Sequence, residues 1–137
     1  MDGRVEVDGK ESVKSKNQSF GKRLRFALRG LRETWRREAS FRTQTKAALG
    51  LVLTLVLLQA TAVWWAACLL SSGLVLVTET LNTVFETQLD LLHPARHEAV
   101  MRCKDAAAGA VLLASLIALG VFVAFLSTVH LPWLKEG

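Results

Sequence analysis

The chain has 137 residues, enough for one domain, with 51% hydrophobic residues and a mean hydropathy of +0.31 despite 21% charged residues. Its charge is segregated: residues 1–46 hold 13 Lys/Arg and 6 Asp/Glu, a net of +7, whereas the remainder holds 4 and 6, a net of −2. A pI of about 9.7 would suit nucleic acid, but the basic block runs straight into a long apolar stretch, so a basic segment facing anionic lipid fits better and no nucleic-acid partner is expected.

Residues 1–19 (MDGRVEVDGKESVKSKNQS) are charged, aperiodic and contain Ser and Gly, which predicts a disordered polar tail. They lack the apolar core of a signal peptide. Residues 20–37 follow. Phe20, Leu24, Ala27, Leu28, Leu31 and Trp35 recur at helical spacing, with Lys22, Arg25, Arg29, Arg32 and Arg36 on the other side. This predicts a basic amphipathic helix lying on a membrane surface; an amphipathic helix on a soluble core would show the same period.

Residues 38–131 are expected to form a three-helix transmembrane unit. Ala47 to Val77 runs 31 residues without a formal charge. One straight helix of that length would span about 46 Å, well beyond a hydrocarbon core of roughly 30 Å. Gln59 and Thr61, followed by Trp64 and Trp65, have the character of a membrane interface. The run therefore splits into one helix over Arg42–Leu58 and a second from near Val63. His93-Pro94 stops the second helix. A third begins around Ala95–Glu98 and ends before Pro132-Trp133, leaving residues 132–137 as a short tail. Basic residues gather at the N-terminal segment and at the loop with Arg96, Arg102 and Lys104, which predicts a cytoplasmic N-terminus and an external C-terminus. Cys68 and Cys103 have no CxxC or metal-ligand spacing, so they carry no redox inference.

The second helix carries TETLNTVFETQLD, Thr78 to Asp90. At about 100° per residue, Glu79, Asn82, Glu86 and Asp90 fall at roughly 0°, −60°, −20° and +20°, one face flanked by Thr83. Three carboxylates and an amide are costly in a membrane-embedded helix unless paired or placed in a polar cavity. The third helix opens with CKDAAAGA, which brings Lys104 and Asp105 to the same depth, while residues 106–110 are small enough for close helix approach. Glu38 stands just before the first membrane helix. Carboxylates for Mg²⁺, a lysine for phosphate oxygens and a carboxylate to take a proton suit phosphoryl transfer. Interhelical glue and an ion or proton path are the competing readings. His93 and His97 flank Pro94, a poor geometry for a metal pair. There is no GxxxxGK[ST] loop, so any ATP is held without a P-loop.

These residues carry a resemblance. FxxxxxFAxxGL (Phe20, Phe26, Ala27, Gly30, Leu31), ExxFR (Glu38, Phe41, Arg42), ExxNxxxExxxD (Glu79, Asn82, Glu86, Asp90) and H-x6-KD followed by AAAGAV (His97, Lys104, Asp105, Ala106–Val111) occur in order. From roughly Phe20 to Val123 the chain resembles the small integral-membrane lipid kinases of bacteria, the diacylglycerol kinase and undecaprenol kinase family. The resemblance implies an all-α homotrimer, each subunit with a surface helix and three transmembrane helices, in the bacterial cytoplasmic (inner) membrane. Active sites would be shared between neighbouring subunits. It further implies ATP as phosphate donor, Mg²⁺, and undecaprenol or diacylglycerol as the lipid alcohol. Glu79 would be the general base, Glu38 and Glu86 the Mg²⁺ ligands, and Lys104 the neutraliser of phosphate charge. Asp105 and His97 would be nucleotide contacts, Asn82 would position the reacting groups, and Phe26 would lie near the adenine. Two positions depart from the family pattern: Gln44 stands where an acidic residue is frequent, and Ser40 stands at the usual small position. AAAGAV in place of MGSAAV, and the DLL at Asp90–Leu92, lean toward the undecaprenol branch.

Overall fold

The computed structural model describes residues 19–93 and 97–135, with side chains described as far as Val129; residues 1–18 of the expected N-terminal tail, and residues 94–96, lie outside the described residues. Four helices follow one another: α1 (Phe20–Arg37), α2 (Ala39–Leu57), α3 (Ala62–Leu92) and α4 (Glu98–Lys135). The chain divides after Glu33 into two compact units.

In the first unit, α1 begins where its periodicity begins. The Ser19 carbonyl accepts the Lys22 and Arg23 amides at 2.9 and 3.2 Å, as a residue preceding a helix should. Phe20, Leu24, Phe26, Leu28 and Leu31 are all exposed.

The second unit starts with the last turn of α1. Arg36 and Arg37 sit there, at the negative end of the helix dipole. Arg42 Nη1 donates to the Trp35 and Arg36 carbonyls, both at 3.1 Å, satisfying acceptors that a helix end leaves without partners. Trp35 meets buried Phe41 edge to face, with centroids 6.5 Å apart. The Phe and Arg of ExxFR thus fasten the joint between α1 and α2. Glu38 is the joint, with extended backbone (φ −98°, ψ 115°) and a half-buried side chain.

Between α2 and α3 the chain reverses without glycine. Gln59 adopts φ 49°, a left-handed conformation that costs an L-residue roughly 1 kcal/mol. Its amide donates to Val56 O at 3.1 Å and the Ala60 amide to Leu55 O at 3.0 Å, the pair of bonds that defines a Schellman cap. Ala60 then packs against the buried cluster of Leu55, Cys68 and Phe125. The reversal falls where Gln59 and Thr61 place it from the sequence.

Helix α3 is the middle element, packing against α2 on one side and α4 on the other. Near the Gln59 turn all three meet: Leu55 of α2, Cys68 of α3 and Phe125 of α4 are fully buried, with Trp64, Trp65 and Phe122 around them. Elsewhere large apolar side chains remain on the outside, among them Leu70, Leu91, Leu112 and Leu119. A groove of about 480 Å³ runs between α2 and α4 over α3, lined by Gln44, Leu51, Thr54, Val75, Ser115 and Phe122 among others.

Among the described residues two helices are long and apolar enough to cross a membrane, α3 and the Glu98–Val129 stretch of α4. The expected third, α2, carries Arg42, Gln44 and Lys46 in its first half. Helix α4 also runs through Pro132 to Lys135 instead of ending before it. A proline removes one ladder hydrogen bond, and helices of this apolar type tolerate that loss. Of the small residues 106–110, Ala106, Ala108, Gly109 and Ala110 face outward, and a Cβ on Gly109 would meet nothing within 4 Å.

Candidate active site

Glu79 is the one charged side chain in the buried class among the described residues, with 4% of its surface exposed. Its position follows from α3 being the central helix: the face that carries Val75 and Glu79 turns inward. Two residues of α2, one helical turn apart, meet its carboxylate. The Ser40 hydroxyl donates to Oε1, and Gln44 Nε2 donates to Oε2 at 3.2 Å. Neither donor is charged.

One turn on, Asn82 Nδ2 donates to Glu86 Oε1 at 3.2 Å. That bond fixes the amide so that Asn82 Oδ1 is left buried without a partner; Gln44 Oε1 is in the same condition. Buried acceptors of this kind call for a ligand, a water or another chain. Thr83 Oγ1 donates to the Glu79 carbonyl at 3.1 Å, an ordinary helical back-bond.

At the end of α3, Asp90 pairs with Lys104 of α4. His97 stands at the N-cap of α4: its Nδ1 accepts the Ala99 amide at 3.2 Å and its carbonyl accepts the Met101 amide at 3.1 Å. Asp105 and His97 are exposed. Phe26 belongs to the first unit and is 52% exposed.

The sequence-derived residues therefore gather in part. Glu79, Asn82 and Glu86 form one face of α3, and Lys104 is tied to the same helix through Asp90. Among the described residues no group of three His, Cys, Asp or Glu side chains gathers to hold a metal ion, and His93 with His97 is no exception. Ser40 and Gln44 were legible only as departures from a pattern. Their i, i+4 spacing puts both on one face of α2, but the spacing alone does not say that this face meets Glu79.

An all-helical chain with long apolar helices, many large apolar side chains on its exterior and a buried, hydrogen-bonded carboxylate has the build of a membrane protein with a polar site among its helices. The family comparison agrees. The model of the prokaryotic diacylglycerol kinases matches residues 25–126, and the chain belongs to that family. Among its relatives, the undecaprenol kinase of Bacillus subtilis is 32% identical over 111 residues, 81% of this chain and 89% of the relative. The diacylglycerol kinase of Escherichia coli K12 is 33% identical over 93 residues, 68% of this chain and 76% of the relative. The diacylglycerol kinase of Synechocystis is 35% identical over 96 residues, 69% of this chain, and there the match spans only 55% of the relative's length.

Proposed function

We propose that the chain is an integral-membrane lipid kinase that transfers the terminal phosphate of MgATP to the hydroxyl of a membrane lipid. The observation that carries this reading is the buried Glu79 of α3, a helix that also presents Asn82 and Glu86, held by two neutral donors from α2. A carboxylate in such a place has a chemical task more readily than a packing one.

In the proposed reaction the lipid hydroxyl gives its proton to Glu79 as its oxygen bonds to the γ-phosphorus. The bond to the β-phosphate oxygen breaks and ADP leaves. Phosphoryl transfer asks mainly for positioning and charge neutralisation. Mg²⁺ arrives with ATP as part of the substrate and needs only one or two protein oxygens besides phosphate and water. Glu86, with the partnerless Asn82 Oδ1 beside it, is a suitable donor set, and Glu38 is the further carboxylate assigned to the metal. Lys104 would leave Asp90 to meet phosphate oxygens, with Asp105, His97 and Phe26 as nucleotide contacts.

The reading includes α2 as a third spanning helix, α1 on the cytoplasmic membrane surface and the N-terminus in the cytoplasm of a bacterium, at its inner membrane. It also includes a homotrimer with active sites shared between subunits. The outward small residues of α4 and the buried acceptors left without partners in a single chain are in keeping with that assembly.

Undecaprenol is the favoured lipid, on the AAAGAV and DLL stretches and on the relative named undecaprenol kinase. Diacylglycerol is the second reading, favoured by the relatives of that name. Purified protein in mixed micelles, given labelled MgATP with undecaprenol or diacylglycerol separately, distinguishes them. Faster labelling of undecaprenol supports the first reading and faster labelling of diacylglycerol the second. Transfer to neither lipid by folded protein leaves a non-catalytic packing or lipid-binding role.

A further inference from the structure

The geometry points to Ser40 and Gln44 as positioning residues that clamp the Glu79 carboxylate in the orientation from which it accepts the substrate's proton; this rests on the proposed role of Glu79 as base. A carboxylate buried to 4% exposure is costly to hold unless its oxygens find donors. Here each oxygen has one: Ser40 Oγ on Oε1 and Gln44 Nε2 on Oε2. Both donors come from α2, at positions i and i+4, so a single helix face presents them together.

The joint before α2 gives that face a fixed setting. Arg42, midway between the two donors, is bonded to the Trp35 and Arg36 carbonyls, and buried Phe41 packs on Trp35. The first turn of α2 is thereby anchored on one side while Ser40 and Gln44 reach Glu79 on the other.

The choice of neutral donors matters chemically. A lysine or arginine in either place would hold the carboxylate as tightly but weaken it as a base. A second carboxylate would offer no donor unless protonated. A hydroxyl and an amide restrain both oxygens, and each oxygen keeps a lone pair free for the incoming alcohol. Gln44 also lines the groove between α2 and α4, so one member of the clamp borders that groove.

The test compares Ser40→Ala, Ser40→Thr, Gln44→Ala and Glu79→Gln in the full-length protein, purified in micelles and checked for assembly by size-exclusion chromatography. Initial rates are measured against MgATP and against undecaprenol and dioleoylglycerol. Ser40→Ala and Gln44→Ala are expected to lower kcat on the order of tenfold, the scale of losing one hydrogen bond to a charged group, with KM for MgATP within about twofold. Ser40→Thr keeps the hydroxyl and should recover most of the rate. Unchanged kcat in both Ala variants overturns the clamp, as does a loss that Thr does not rescue at Ser40 when assembly is intact. An active Glu79→Gln variant overturns the base itself. An inactive Glu79→Gln with a fully active Ser40→Ala and Gln44→Ala leaves the base standing and removes only the clamp.

Discussion

Lys104, in the second turn of α4, sets its Nζ 2.5 Å from Asp90 Oδ1 near the end of α3. The two are 14 positions apart and tie the end of α3 to the start of α4. Asp90 is 66% exposed and Lys104 31%, so water and salt screen the pair. Asp90→Asn should cost about 1 kcal/mol of stability or less, and the difference should vanish near 1 M salt, where the screening length falls to roughly 3 Å. Under the kinase reading the same variant lowers KM for MgATP by up to about fivefold, because Lys104 no longer leaves a carboxylate to reach phosphate. Thermal melts at two salt concentrations and a MgATP titration check both parts.

Glu86 receives its hydrogen bond from Asn82, an interaction that a glutamine oxygen would also accept. Under the kinase reading, Glu86→Gln should therefore keep the helix face intact while removing negative charge from the site proposed for Mg²⁺. The free Mg²⁺ giving half-maximal rate should rise on the order of tenfold or more. Initial rates at saturating ATP and varied Mg²⁺ measure this.

Gln59 supplies the left-handed residue of the α2 cap. Gln59→Gly should stabilise the protein by about 0.5–1 kcal/mol, since glycine takes this conformation without steric cost. Gln59→Val should destabilise by at least as much, because a β-branched side chain resists positive φ. Thermal denaturation of the two variants in one detergent gives the comparison.

Phe125 fills the junction of α2, α3 and α4, with its ring 5.7 Å from that of Trp64. In a membrane the loss on truncation is chiefly packing, since lipid is as apolar as the helix interface. Phe125→Ala should cost about 2 kcal/mol or more through the cavity it leaves, whereas Leu119→Ala, at an exposed position, should cost far less. Steric trapping or thermal melts on both variants separate these outcomes.

What the sequence disclosed and what it withheld follow from the range of the forces involved. The face carrying Glu79, Asn82 and Glu86 is legible because helical periodicity alone sets it. The boundaries of α1 are legible for the same reason. The reversal at Gln59 is legible from its polar and aromatic neighbours, yet its mechanism is not, since a Schellman cap normally shows itself by glycine. Ser40 and Gln44 as partners of Glu79 depend on which side of α2 meets α3, a tertiary fact that no local pattern encodes. The same limit hid the pairing of Lys104 with Asp90 and the outward direction of the small residues of α4.

The scarcity of buried apolar side chains has a calorimetric consequence. Six hydrophobic residues form the buried set among the described ones, while the flanks of α3 and α4 stay covered with leucine, valine and phenylalanine that face outward. When such helices come apart inside hydrocarbon, that surface moves from one apolar neighbour to another and never meets water. The heat-capacity increment of unfolding, which tracks apolar area newly hydrated, is then small for a chain of this length. Its stability curve is correspondingly flat, without the low-temperature decline that hydrated cores impose on water-soluble domains.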